Sequence, residues 1–237
     1  TNSGPKGYEQ LFGGPLNQLG DNQPMAPLSL TEAGREWYPA ETLSNVLGKK
    51  MTVNRPSAAG QYTLSLLENA NGPALCAYDF GGKGLLFRIG GSNAEGDDQG
   101  RDIFTAMMTA TMQGYVRRNP DALRDKKIAV IALRNGPAKG GWTPVAVDEW
   151  QRAITKSSFW RIAGAQLTTI ENVTQMRAAM TSDDFGMILN PYGEWFPSHS
   201  AEELTADLEL LRAYVKRGGL WWETGGYPFY YFLEPKT

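Results

Sequence analysis

The chain has 237 residues, 23 Lys and Arg against 25 Asp and Glu, a formal net charge of -2, one cysteine and one histidine. That charge balance gives no general attraction to nucleic acid or an anionic membrane. One Cys with one His makes neither an internal disulfide nor a thiolate or His-cluster metal site, so no metal and no cofactor is expected.

The length suits one large domain or two small ones, and 41% hydrophobic with 20% charged residues describes a globular chain. No stretch approaches the ~20 apolar residues of a membrane span. No basic segment followed by an apolar run opens the chain. A start at Thr1 fits a periplasmic or secreted protein that has lost a signal peptide, and otherwise the cytoplasm. Seven Trp and ten Tyr serve either an aromatic core or flat faces for sugars and protein partners.

Residues 1–30, rich in Gly, Pro, Asn and Gln, read as an extended arm. Residues 31–125 read as a mixed segment. A short helix is expected over Ala40–Leu47, stopped by Gly48, and a strand over Gln61–Leu67. Ala74–Phe80 and Gly84–Ile89 then form a β-hairpin around Gly81–Gly84. That glycine-rich turn lacks the spacing of a phosphate loop and joins two strands. The acidic loop Glu95, Asp97, Asp98 and Asp102 lacks the alternating ligand spacing of a calcium loop and reads as solvated. Asp102–Arg118 carries Ile103, Phe104, Met107, Met108, Thr111, Met112 and Tyr115 at helical spacing, and Asn119-Pro120 stops it.

From Lys126 to the end the pattern alternates regularly. Ile128–Leu133 is a buried parallel strand by its continuous apolar run. Thr143-Pro144 opens a helix to about Lys156. Gln166–Ile170 is a strand, Asn172 caps a helix through Met180, and Phe185–Leu189 is the next strand. Ser200 and Glu203 form a capping box for a helix with the stripe Leu204, Leu208, Leu211 and Val215, ended by Gly218-Gly219. Leu220–Trp222 is the fourth strand. The alternation means an α/β fold with a mainly parallel sheet, whose ligand sites lie beyond the carboxyl ends of the strands.

The runs MILNPYGEWFP (187–197) and LLRAYVKRGGLWWETGGYPFYY (210–231) resemble the class I glutamine-amidotransferase-like superfamily. The similarity is to its ThuA-like branch and to the amidotransferase-like domain of some β-galactosidases, and covers roughly 126–233. The resemblance implies a flavodoxin-like three-layer sandwich. It sets Asn190–Glu194 at the loop that helps form an oxyanion hole, and Glu223–Gly226 at the nucleophile elbow.

DFGGKGLLFRIGG (79–91) resembles the late hairpin of the same superfamily, and Asp102–Arg118 its closing helix, yet both precede the first strand here. Residues 31–125 are then either a permuted half completing the domain of 126–237, or the tail of a preceding one. Four strands alone would leave an exposed edge, which argues for one domain.

The resemblance also exposes a departure. An amidotransferase needs a Cys at the elbow and an acid-oriented His, whereas Thr224 holds the elbow position. Cys76 lies in an apolar strand as a buried thiol, and His199 sits at a helix start. Where ThuA-like proteins tend to carry Gly-His, Ser92 and Asn93 stand here.

The strand ends retain Arg134 and Asn135, then Asn190, Tyr192, Glu194 and Trp195, then Glu223, Thr224 and Tyr227. These are the candidate site residues. The carboxylates either pair with Arg134 or cap backbone donors, bind ligand, or act as acid and base.

Two functions follow. One is a non-catalytic amidotransferase-like domain that binds a small molecule or carbohydrate, or assembles with protein, through Tyr192, Trp195, Trp221, Trp222 and Tyr227. Its partners would be such a ligand, a second copy or a larger parent chain. The other is a hydrolase of a sugar-derived substrate with Glu194 and Glu223 as the acid/base pair.

Overall fold

A computed structural model describes residues 11, 23–38, 43–53, 63–91, 93–96, 100–141, 143, 145–225, 229 and 231–233. Most of the expected 1–30 arm lies outside these residues. So do 40–42 of the expected first helix, Gln61, Ser92, Asp97, Asp98, Pro144, Gly226 and Tyr227.

The first half contains β1 (Ala26–Pro27), β2 (Ser29–Leu30), α1 (Glu32–Trp37), β3 (Lys50–Met51), β4 (Leu64–Asn69), β5 (Gly72–Tyr78), β6 (Leu86–Ile89) and α2 (Arg101–Arg118). The second contains β7 (Lys127–Ile131), α3 (Val147–Lys156), α4 (Phe159–Ile162), β8 (Gln166–Ile170), α5 (Val173–Thr181), β9 (Phe185–Asn190), β10 (Trp195–Pro197), α6 (Leu204–Arg217), β11 (Leu220–Glu223) and β12 (Tyr231–Leu233).

One eight-stranded sheet runs β2-β4-β5-β6-β11-β9-β7-β8. From β6 to β8 all neighbours are parallel; β5, β4 and β2 extend the sheet by antiparallel pairing. The sheet is covered on both faces. Trp37, Phe104, Met107, Trp150 and Phe159, from α1–α4, pack with Phe87, Val130, Leu189 and Trp222 on one face. Met176 of α5 and Leu208, Leu211 and Val215 of α6 pack with Leu86, Ala129, Ile188 and Trp221 on the other. Double coverage is why β11 is buried at all four positions and why its sequence shows no alternation.

Several boundaries differ from the sequence pattern. The described part of Ala40–Leu47 is not helical, and a helix forms earlier than expected, at α1. Thr31 caps it by accepting from the Gly34 N–H (2.9 Å), and Tyr38 turns extended (φ -111°, ψ 125°), the conformation a following proline imposes. Residues 43–48 are turns. Part of the expected arm is strand: β1 pairs with β3 and β2 with β4. α3 begins after Ala146, whose N–H donates to the Glu149 carboxylate (3.1 Å); Thr143 instead accepts from Val145 N–H within the loop (3.4 Å). Ser200 accepts from the Glu203 N–H (3.4 Å), but α6 starts at Leu204 and the Glu203 carboxylate pairs with Arg177.

The glycine-rich turn of the hairpin has a packing role. The N–H groups of Lys83 and Gly84 donate to the carbonyls of Lys216 and Val215 (3.1 and 3.0 Å), so they close the open end of α6. A Cβ on Gly84 would stand 2.1 Å from the Gly219 carbonyl oxygen. Those donors are therefore not available to a phosphate.

Candidate functional site

β7 sends its chain one way to β8, whereas β9 sends its chain the other way to β11. The carboxyl ends of β7 and β9 thus flank the switch point where ligands bind in open α/β sheets.

Here the protein occupies that crevice with its own side chain. Tyr192 is buried, and its hydroxyl accepts from the Leu133 N–H just past β7 (2.8 Å). The β7 loop closes on it: a Cβ on Gly140 would stand 1.9 Å from the Tyr192 carbonyl oxygen, and Gly141 bridges to Gly193. Burial pushes the Tyr192 phenol above its ordinary range, with the Leu133 bond opposing.

Beside it the register sets four polar side chains in one row. Asn190 is opposite Glu223, Glu223 opposite Arg88, and Arg88 opposite Cys76. Directly paired residues share a face of the sheet. All four are wholly buried.

Glu223 takes hydrogen bonds from Asn190 Nδ2 on both oxygens (2.9 and 3.2 Å) and from Trp221 Nε1 (2.7 Å). Burial raises its pKa well above the ordinary glutamate value, against the two donors and the Arg88 charge. Asn190 also donates to the Trp195 carbonyl (3.0 Å). Phe196 packs on Trp221 and Phe229 (ring centroids 5.7 and 5.6 Å) and roofs this face.

Thr224, which the resemblance sets at an elbow, is also wholly buried. Its hydroxyl donates to the Asn190 carbonyl (2.9 Å) and accepts from the Gly193 N–H (3.1 Å). The Tyr192 N–H donates to Asn190 Oδ1 (3.2 Å). These two N–H groups of the Asn190–Glu194 loop therefore point inward. Thr224 is not among the non-glycine residues with positive φ, so the sharp strained turn of a nucleophile elbow is absent at this residue.

The other candidates scatter. Arg134 is 77% exposed and pairs with Glu171 (2.6 Å), not with Glu194 or Glu223. Glu194 is buried, and its carbonyl accepts from Tyr231 N–H (3.0 Å). Trp195 is half-buried beside Gly141. Trp221 and Trp222, expected to offer faces to a ligand, are both wholly buried: Trp221 holds Glu223, and Trp222 packs against Phe87 (5.3 Å) on the other face. Cys76 lies two strands from β11, its thiol pushed up by burial. His199 is exposed, with Nε2 3.3 Å from Thr174 Oγ1.

Arg88 is the residue the sequence reading passed over. Its signal was a single charge inside the apolar run Leu85–Ile89. Asp207 gave a similar signal on the apolar stripe of α6. It is buried and held by Arg177 (2.5 Å) and Ser198 (2.7 Å). Among the described residues, no three His, Cys, Asp or Glu side chains gather as a metal site, and no helix is long and apolar enough to cross a membrane.

The opposite end of the sheet is open. A cavity of about 500 Å³ lies at the amino ends of the strands, lined by Lys83, Tyr115, Lys126, Asp183, Tyr214 and Arg217 among others.

Comparison of the chain with protein-family models, curated proteins and solved structures returned no match.

Proposed function

We propose that this chain is a catalytically inert domain of the class I glutamine-amidotransferase-like superfamily, and that it binds a ligand or assembles with protein. The sheet order β8-β7-β9-β11-β6 supports a flavodoxin-like sandwich. Counted from β7 it is the 2-1-3-4-5 order, with β6 supplied from earlier in the chain. That placement supports the permuted reading of 31–125.

The observation that carries the proposal is the bond from the Gly193 N–H to Thr224 Oγ1 (3.1 Å). In a working enzyme of this kind the elbow side chain attacks and the loop N–H receives the oxyanion. Here those two groups are bonded to each other. A ligand such as a carbohydrate would meet half-buried Trp195 and the loop residue Gly141 beside it.

The test has two arms. Glutamine and aryl glycosides should show no turnover above background, and a glycan array followed by calorimetry should give binding that Trp195→Ala weakens. Turnover abolished by Glu223→Gln would overturn the reading.

That outcome would favour the second reading, a sugar hydrolase with Glu194 and Glu223 as acid and base. Its support is the raised pKa of Glu223, a property of general acids. Against it, donors from Asn190 and Trp221 already occupy both carboxylate oxygens.

A further inference from the structure

The two edges of the sheet are built differently. The β2 edge is two residues long and runs straight into α1, a short edge of the kind that discourages pairing. The β8 edge is Gln166–Ile170, five residues in unbroken register with β7. It carries no charge, proline or bulge. Each of those devices would protect an edge from a second chain, and β8 has none.

Its hydrogen-bonding pattern is self-complementary. Gln166 N–H donates to the Lys126 carbonyl (2.9 Å), and the Ile170 carbonyl accepts from Ala132 N–H (2.8 Å). In a parallel ladder alternate residues face the neighbour, so 166, 168 and 170 face β7. Leu167 and Thr169 turn their N–H and C=O groups outward, at the last strand of the sheet.

A two-fold axis beside Thr168 would set Leu167 of one copy opposite Thr169 of the other, twice. Such directly opposed residues exchange two hydrogen bonds each in an antiparallel pair. Every outward donor and acceptor of Leu167 and Thr169 is then satisfied, and Thr168 faces Thr168.

We infer that β8 is a dimerisation edge whose partner is the β8 of a second copy, joining two sheets into one. An isologous contact requires a patch that complements itself, and β8 meets that demand in both spacing and charge. Two further observations sit at the same edge. A groove of about 250 Å³ between α3 and β8 is lined by Ile128, Val130, Ile154 and Leu167 with threonines, on the face the partner's Leu167 would share. Ile162, four residues before β8, is 73% exposed. The inference is independent of the proposed function, because it uses none of the residues at the strand ends.

Sedimentation of the chain at micromolar concentration tests it. The wild type should sediment at twice the chain mass. Thr168→Lys and Thr168→Glu should each sediment at the single mass, because like charges would meet across the axis. An equimolar mixture of the two should recover the doubled mass.

Leu167→Pro removes an outward N–H along with the Leu167 side chain that lines the groove, and should also give the single mass, with circular dichroism showing that each variant is folded. A single-mass wild type would overturn the inference. So would a dimer that the folded variants retain, or a mixture of folded charge variants that stays single.

Discussion

The two ends of the parallel strands use polar residues in opposite ways. At the carboxyl ends, Asn190, Glu223 and Thr224 are buried and bonded to one another or to adjacent backbone. At the amino ends, Lys83, Lys126, Asp183 and Arg217 line an open cavity. Lys126 and Arg217 there bond the carbonyls of Asp183 and Met180 (the latter at 2.6 Å), near the carboxyl end of α5, where a cation suits the helix dipole. Polar character at a strand end is therefore not by itself the mark of a site. Here the end that topology reserves for ligands is the one whose polar residues are buried as well as bonded.

Substitutions can break this contrast. Glu223→Ala should have the largest effect. It orphans Trp221 Nε1 and one Asn190 Nδ2 hydrogen, the other keeping the Trp195 carbonyl, and leaves the buried Arg88 charge without its neighbouring carboxyl group, a loss of about 3–5 kcal/mol in denaturant unfolding. A loss below about 1 kcal/mol would show that water reaches the row.

Thr224→Val keeps the shape but strands the Gly193 N–H and the Asn190 carbonyl, and should cost about 2 kcal/mol. If it is neutral, the hydroxyl is not the staple between the two strand ends.

Glu223→Gln should alter the pH profile of stability. A carboxyl whose folded pKa is raised binds its proton more tightly when folded. Its contribution is complete below the ordinary value of 4.5 and is lost as pH rises through the folded value. Stability of the wild type relative to Glu223→Gln should thus decline as pH rises from 4.5. A parallel pair of profiles would place Glu223 in contact with solvent.

At the amino end, the exposed Lys83→Ala should stay within about 0.5 kcal/mol of wild type. A larger loss there would erase the contrast.

The second half of the fold was legible because each element carried its own signal. β7 and β9 are apolar runs, Asn172 caps α5 by accepting from the Gln175 N–H (2.8 Å), and Gly218 ends α6 at φ 118°. Short pieces were harder to read. β10 and β12 have three residues each and depend on pairing with one another across 36 positions, which no local pattern encodes.

The site was less legible still. Residue type placed Asn190, Tyr192, Glu223 and Thr224 at the strand ends, but their direction was set by partners distant in sequence. Tyr192 points inward because the Leu133 N–H, 59 residues away, is there to meet its hydroxyl.

The position of β11 also has a consequence for synthesis. It is the last-made strand of the eight and lies between β6 and β9, both completed earlier. Until residues 220–223 emerge, the sheet is two pieces, each with an open inner edge, and joining them closes a loop of more than 130 residues. Such long-range pairing slows folding, and uncovered edges invite association with other chains. Premature release before Leu220 would leave both edges open, so the nascent chain is most exposed to aggregation just before its last sheet strand arrives.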